Sequence, residues 1–337
     1  VTDEAREIIA DLHHIVAPDG IQENFQLRAG GIDHWVYARG QDRSNPVILF
    51  IHGGPATPLA PGAWQFQRPI EEYFTVVTYD QRAAGRTLRS VDPATIADTL
   101  TIAQYVEDAI ELAEQIRTRY GVDKLILIGH SWGTLIGLQA AHTRPDLFHA
   151  YVGIGQVIDA RANETHCYQY AVAQAELHND AEALEQLASI APYPGDQPLT
   201  RERIIIARQW AQHRGGLSAY RHQSDYYFGA PLLSPDYQPE DVPTIDDGNL
   251  FTLGRVLDEM LATDLTTITA FPIPLVMFFG RHDYTTPTAP VESWLATVEA
   301  PYKQAVWFEN SAHLAPWEEP GKTLVSLLTY VRPLVTP

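Results

Sequence analysis

Cysteine is almost missing from this chain, which carries one, Cys167, in 337 residues. No intrachain disulfide is available, a pattern that fits a reducing compartment. Basic residues are scarce as well: 23 Lys+Arg face 42 Asp+Glu, for a formal net charge of −19. A chain of that sign is a poor partner for nucleic acid or for an anionic membrane surface, and solubility is the plain meaning of the charge. Acids gathered at a site mouth would favour cationic substrates such as free-amine peptides. No apolar run approaches the roughly 18–20 residues of a transmembrane helix, so no membrane span is expected. The opening Val1-Thr2-Asp3-Glu4-Ala5-Arg6-Glu7 is polar and lacks signal-peptide character, which sets a cytoplasmic expectation. Val1 is not Met, so this expectation leaves open a processed or trimmed start and a lost export signal. His13, His14, His166 and His178 show no metal-ligand spacing with acids or with Cys167, so no metal and no cofactor are expected.

What the chain does contain is alternation. A hydrophobic content of 45% and a charged content of 19% are ordinary for a globular protein, and the length suits one core with one insertion. Residues 1–16 read as a short amphipathic helix closed by Pro18-Asp19-Gly20, followed by strands near 22–28 and 32–38. A central sheet begins at Pro46, and a strand at 74–79 feeds Asp80-Gln81-Arg82. Ile102, Val106, Ile110, Ala113 and Ile116 repeat at helical spacing, which predicts a crossover helix from Ile102 to Tyr120. Strands alternating with helices predict a mostly parallel sheet with helices on both faces.

The most informative segment is Gly129-His130-Ser131-Trp132-Gly133. It follows the apolar run Leu125-Ile126-Leu127-Ile128 and precedes a helix-forming stretch. G-x-S-x-G between a strand and a helix places its serine on a sharp turn, with the hydroxyl pushed out over the sheet edge. Ser131 is therefore the candidate nucleophile. It needs a base to take its proton and a carboxylate to orient that base. The strand Ile273–Phe279 empties into Gly280-Arg281-His282-Asp283, which makes Asp283 the candidate acid. The strand Gln304–Phe308 runs into Glu309-Asn310-Ser311-Ala312-His313, which makes His313 the candidate base. Val47–Ile51 ends in His52-Gly53-Gly54-Pro55. Its glycines let the main chain approach a developing oxyanion, with Gly54 as one donor, Gly53 close behind, and Trp132 N–H as the other. His52 and His130 are assigned to scaffold, with no proton-transfer role.

His52-Gly53-Gly54-Pro55, the segment Tyr79-Asp80-Gln81-Arg82-Ala83-Ala84-Gly85-Arg86, Gly129-His130-Ser131-Trp132-Gly133-Thr134, and Gly280-Arg281-His282-Asp283 with Ser311-Ala312-His313 together resemble the proline iminopeptidase family of α/β-hydrolases. The resemblance spans roughly residues 25–155 and 270–325. It implies an α/β-hydrolase fold, triad roles for Ser131, Asp283 and His313, oxyanion roles for Gly54 and Trp132, and a bracing role for the Asp80-Gln81-Arg82 segment. Two motifs depart from the family pattern, at Ala56 after Pro55 and at Ala83 after Arg82. The family's aminopeptidases also carry cap glutamates, often in a Trp-Glu pair, that grip the substrate amine. The nearest counterpart here is Arg208-Gln209-Trp210-Ala211-Gln212, which has no glutamate. Glu164, Glu176, Glu202 and Asp225 are other acids of that region.

Between about 156 and 269 the strand signals fade and helical stretches appear at 160–178, 180–190, 200–214 and 250–262. The expected organisation is a hydrolase core of 1–155 and 270–337 with a helical cap of 156–269 that selects the substrate. Trp210 and Tyr227 of the cap, with Gly53 of the core, are the candidate substrate-binding residues, and the aromatics Tyr168, Tyr170, Tyr226 and Phe228 are further pocket candidates. The expected chemistry is cofactor-free cleavage of an ester or amide bond in a small molecule or short peptide, through an acyl-enzyme. Proline iminopeptidase activity, acyl transfer on the same triad, and a hydrolase-fold binding protein are the alternatives. An epoxide hydrolase or dehalogenase of this fold uses an aspartate at the elbow, against which Ser131 argues. No oligomeric state follows from the sequence.

Overall fold

Eight strands lie in one sheet: β1 Ile21–Ala29, β2 Ile32–Gly40, β3 Val47–Ile51, β4 Thr75–Tyr79, β5 Leu125–His130, β6 Phe148–Ile154, β7 Leu275–Gly280 and β8 Lys303–Phe308. The computed structural model describes residues 2–196 and 199–335; residues 1, 336 and 337 of the expected terminal segments lie outside the described residues. The strand order is β1-β2-β4-β3-β5-β6-β7-β8. β1 pairs antiparallel with β2, and β2 with β4, while every pairing from β4 to β8 is parallel.

That order positions the site. The chain leaves β3 for β4 on one side and returns to β5 on the other. The loops that follow β3 and β5 therefore diverge and leave a crevice beyond the carboxyl ends of the strands. His52 and Ser131 open those two loops.

β3, β4, β5 and β7 are buried at every position. Both faces are covered, which is why they read as continuous Val, Ile, Leu and Phe rather than as alternating patterns. Leu49, Ile51, Leu125 and Leu127 point to one core with Tyr105, Leu112 and Leu135 of the crossover helices. Ile48, Phe50, Ile126 and Ile128 point to the other, with Phe66, Ile70 and Leu327. The expected crossover helix is Ile102–Tyr120. Thr101 caps its start by accepting from Gln104 N, and Gly121 closes it in the left-handed region at φ 65°.

Helices fill the segment between β6 and β7: Ala160–Leu177, Ala181–Ser189, Arg201–Ala211, Asp225–Phe228 and Pro243–Leu261. Asp159, Asp180 and Thr200 cap the first three. These helices carry small cores of their own, one around Cys167, Ala171 and Leu187, another around Tyr193, Ile204 and Ala207. Two expectations need correction. The helix placed at 250–262 begins at Pro243, a residue whose fixed φ suits a first helical turn. The N-terminal helix spans Thr2–Leu12 and stops short of 16, because Ile15 N pairs with Gln22 Oε1 at 2.8 Å and the chain turns toward β1. Among the described residues no helix is long and apolar enough to cross a membrane.

Arg82 ties the sheet edge to the crossover helix. Its side chain, 1% exposed, donates from Nε and Nη2 to the Asp108 carboxylate at 3.0 and 2.8 Å, from Nη1 to Thr99 Oγ1 at 3.0 Å, and from Nη2 to Gly30 O at 2.8 Å. Removing one partner of such a pair strands the other charge in the core. Asp108→Ala should cost about 3–5 kcal/mol in urea unfolding, against under 1 kcal/mol for removing an exposed ion pair such as Arg28 with Asp33.

Candidate active site

Ser131 sits between β5 and the Trp132–Thr143 helix at φ 54°, ψ −123°, in a region that L-residues rarely occupy. The turn closes because Gly133 has no side chain: a Cβ there would lie 2.3 Å from Ile51 O and 2.6 Å from His52 O. Ser131 N donates to Ile154 O at 2.9 Å, which fixes the elbow to β6. Trp132 N–H opens the helix and belongs to the first N–H groups that a helix leaves unpaired.

His313 follows β8, and its Nδ1 lies 2.9 Å from Asp283 Oδ2. Both residues are 4% exposed. Asp283 Oδ1 accepts from Thr285 N at 3.0 Å and Thr286 N at 2.8 Å, and Oδ2 accepts from Thr286 Oγ1 at 2.9 Å. The hydroxyl proton of Thr286 thus goes to Asp283, and its oxygen, 3.0 Å from His313 Nδ1, shares the imidazole proton with the carboxylate. This arrangement holds the proton on Nδ1 and leaves Nε2 bare. The ring packs against Gly155, φ +56°, where a Cβ would come within 2.8 Å of His313 Cε1. Ser131 and His313 line one cleft of about 250 Å³ with no hydrogen bond joining them in this conformation. Such contacts often tighten when substrate binds.

The floor is held by neutral histidines. His52 Nδ1 faces Gly53 O at 2.9 Å, and His52 Nε2 accepts from Gln81 N at 3.2 Å, so its proton sits on Nδ1. Burial lowers its pKa to about 4. His130 Nε2 faces His313 O at 3.1 Å, a contact that requires the proton on Nε2. Burial, with the neighbouring His313 adding to it, lowers His130 to about 3. Gln81 Nε2 donates to His52 O at 2.7 Å while Gln81 Oε1 accepts from Trp132 Nε1 at 3.0 Å. The Asp80-Gln81-Arg82 segment therefore joins the loop after β3 to the residue after Ser131. Asp80 accepts from Tyr237 OH at 2.6 Å, which anchors the inserted helices to the sheet, and burial raises its pKa to about 7.

The structure brings most of the anticipated residues together. Gly53, Gly54, Ser131, Tyr227 and His313 line the cleft, and Trp132 joins Gly54 and Ser131 around a smaller pocket of about 30 Å³. Trp210 is elsewhere. Its indole donates to Gln186 Oε1 at 3.1 Å and packs in the inserted helices' own core, lining none of the hollows at Ser131. Its neighbours along the chain, Arg208 and Gln212, face the cleft instead. Glu164 reaches the small pocket, and Asn249 reaches the cleft. The i, i+4 spacing of Arg208 and Gln212 is the sequence signal for this shared face. Adjoining the cleft and sharing His130, Tyr227 and Phe228 with it, an aromatic hollow of about 220 Å³ is lined also by His52, Trp317 and Asp246.

The family model described as the alpha/beta hydrolase fold matches residues 46–320. The Bacillus subtilis (strain 168) protein named "Probable aminopeptidase YbaC" is 29% identical over 310 residues, covering 91% of this chain and 95% of that one. Among solved structures, VinJ superposes with TM-score 0.66 at 20% identity, over 93% of this chain and 99% of that one. Proline iminopeptidase of Mycobacterium smegmatis superposes with TM-score 0.64 at 17% identity, over 93% and 98%. At these identities the two structures show a shared fold.

The buried neutral histidines set a pH dependence. A lowered folded pKa means that the unfolded chain binds the proton first, so stability is lost as pH falls below about 6.5. With His130 held near 3, acidification from pH 7 to pH 5 should cost about 2 kcal/mol through this residue. His130→Gln should lower stability at pH 7 and flatten the loss toward pH 5 by about that amount, as read from urea unfolding at the two pH values.

Proposed function

The chain belongs to the α/β-hydrolase fold family, and from that premise we propose that it is a serine hydrolase cleaving an ester or amide bond through an acyl-enzyme on Ser131. The observation that carries this reading is the 2.9 Å contact of His313 Nδ1 with Asp283 Oδ2, set behind a strained serine in the same cleft. His313 Nε2 takes the Ser131 proton as Oγ attacks the carbonyl, and the imidazolium that forms is stabilised by Asp283. Trp132 N–H and Gly54 N–H receive the oxyanion, each such donor being worth about 2.7–4 kcal/mol of barrier. His313 then protonates the leaving group. Water, deprotonated by the same histidine, releases the acyl group and restores Ser131.

Under this reading the helices of residues 156–269 are a cap, and small molecules or short peptides are the substrates. The small pocket behind Ser131, lined by Leu135, Val157, Ala160 and Leu261, suits a compact acyl group. A second reading, release of N-terminal proline or another small residue from a peptide, draws on Glu164, which lines that pocket and would have to exchange its bonds with Arg208 and Tyr193 for one to a substrate amine.

Paired kinetics on a short-chain p-nitrophenyl ester and on proline p-nitroanilide test both. Ester turnover should fall by on the order of 10⁴-fold or more in Ser131→Ala. Undiminished ester turnover in that variant would contradict the acyl-enzyme. Prolyl anilide cleavage that vanishes when the amine is blocked would select the aminopeptidase reading.

A further inference from the structure

Charge reaches the Ser131 cleft unevenly. Arg208 lines three hollows that share Gly54: the cleft with Ser131 and His313, the small pocket with Glu164, and a mouth of about 280 Å³ between the Arg201–Ala211 and Pro243–Leu261 helices. Among the described residues, neither the cleft nor the mouth is lined by a carboxylate, while the mouth adds a second arginine, Arg201. On a chain with 42 acids and 23 bases, this opening has the opposite sign to the average surface. Clefts with low-dielectric walls concentrate such a field.

Glu164 offsets the Arg208 charge and leaves Arg201 to give the mouth its sign, but both oxygens of Glu164 are already engaged. It is 1% exposed, its Oε1 accepts from Arg208 Nε at 3.1 Å and Nη2 at 2.5 Å, and its Oε2 accepts from Tyr193 OH. This side-on grip uses one edge of the guanidinium. Nη1 has no partner among the described residues, so the end-on pair of N–H groups on Nη1 and Nη2 is left for a ligand. The Arg208 side chain is 28% exposed, and that surface borders the hollows. Asn249, whose Nδ2 donates to Pro55 O at 2.7 Å, and Gln212 supply polar atoms on the same rim.

We propose that Arg208 is a substrate-binding residue that receives a carboxylate carried on the acyl part of the substrate, with Glu164 as the group that fixes its plane. This rests on the serine hydrolase reading and names its substrate class: esters or amides of acids bearing a second, ionised carboxyl group. The acyl side is assigned because His313 must reach the leaving group. The pocket and the mouth that Gly54 and Arg208 share are not lined by His313. A protonated amine placed there would meet the arginine as well as the glutamate.

The test compares mono-p-nitrophenyl esters of succinic and adipic acid, the same esters with the far carboxyl methylated, and p-nitrophenyl 6-aminohexanoate, each with Ser131→Ala as blank. For the better of the two chain lengths, the free carboxylate should raise kcat/KM by about tenfold or more over its methylated twin, mainly through KM, the scale of one charge-assisted contact. The aminohexanoate should be the poorest. In the double variant Glu164→Gln/Arg208→Gln, which leaves no charge stranded, the ratio of carboxylate to methylated ester should collapse toward one. Equal turnover of the twins by the unaltered protein, or preference for the amine, would overturn the proposal and leave the hydrolase reading standing. Turnover of none of the esters would overturn both.

Discussion

One buried amide holds the two halves of the site together. The crevice of this fold exists because the loops after β3 and β5 diverge, and divergent loops need something to fix their spacing. Gln81 does so with three hydrogen bonds: its backbone N–H on His52 Nε2, its side-chain N–H on His52 O, and its side-chain oxygen under Trp132 Nε1. The side chain is fully buried, so breaking any one of these bonds would leave a polar group without a partner at a cost of about 1–3 kcal/mol. The same bonds dictate which nitrogen of His52 carries the proton. The spacing between the loop that carries Gly54 and Trp132, on which any oxyanion stabilisation depends, is therefore set from the segment after β4, to which neither residue belongs.

Electrostatically the site is built from few charges, each with a definite partner. His52 and His130 are kept neutral by burial. The carboxylate of Asp283 is satisfied by two backbone N–H groups and a threonine hydroxyl before it meets His313. Overhead, Glu164 and Arg208 neutralise one another while one edge of the guanidinium stays open. The strong negative charge of the chain is thus carried by surfaces other than the cleft lining. Under the proposal for Arg208, an arginine at the opening of a negative chain selects a different substrate from the one that net charge alone suggests.

The core is legible in the sequence because its signals are local. Each of Ser131, Asp283 and His313 stands a few residues beyond an apolar strand, and parallel strands send such residues to a common edge. The crossover helix is legible from period and caps alike. The inserted helices are less so, since their partners are far apart in the chain. Glu164 and Arg208 are 44 residues apart, and nothing in either neighbourhood marks the other. Trp210 is a candidate by residue type, yet it lies about 200° around the helix axis from Arg208, which turns it into the core formed with Cys167 and Leu187. On that helix apolar residues occupy more than one face, and its pattern does not tell cleft from core. The early start at Pro243 is readable from the proline itself.

The central claim is that the chemistry runs through Ser131. It is tested most directly by treating the protein with a fluorophosphonate and mapping the modified peptide by mass spectrometry. The account predicts one phosphonylated residue, Ser131, with loss of ester turnover in proportion to labelling. Full inactivation with the label on another residue, or an active protein that takes no label, would contradict it.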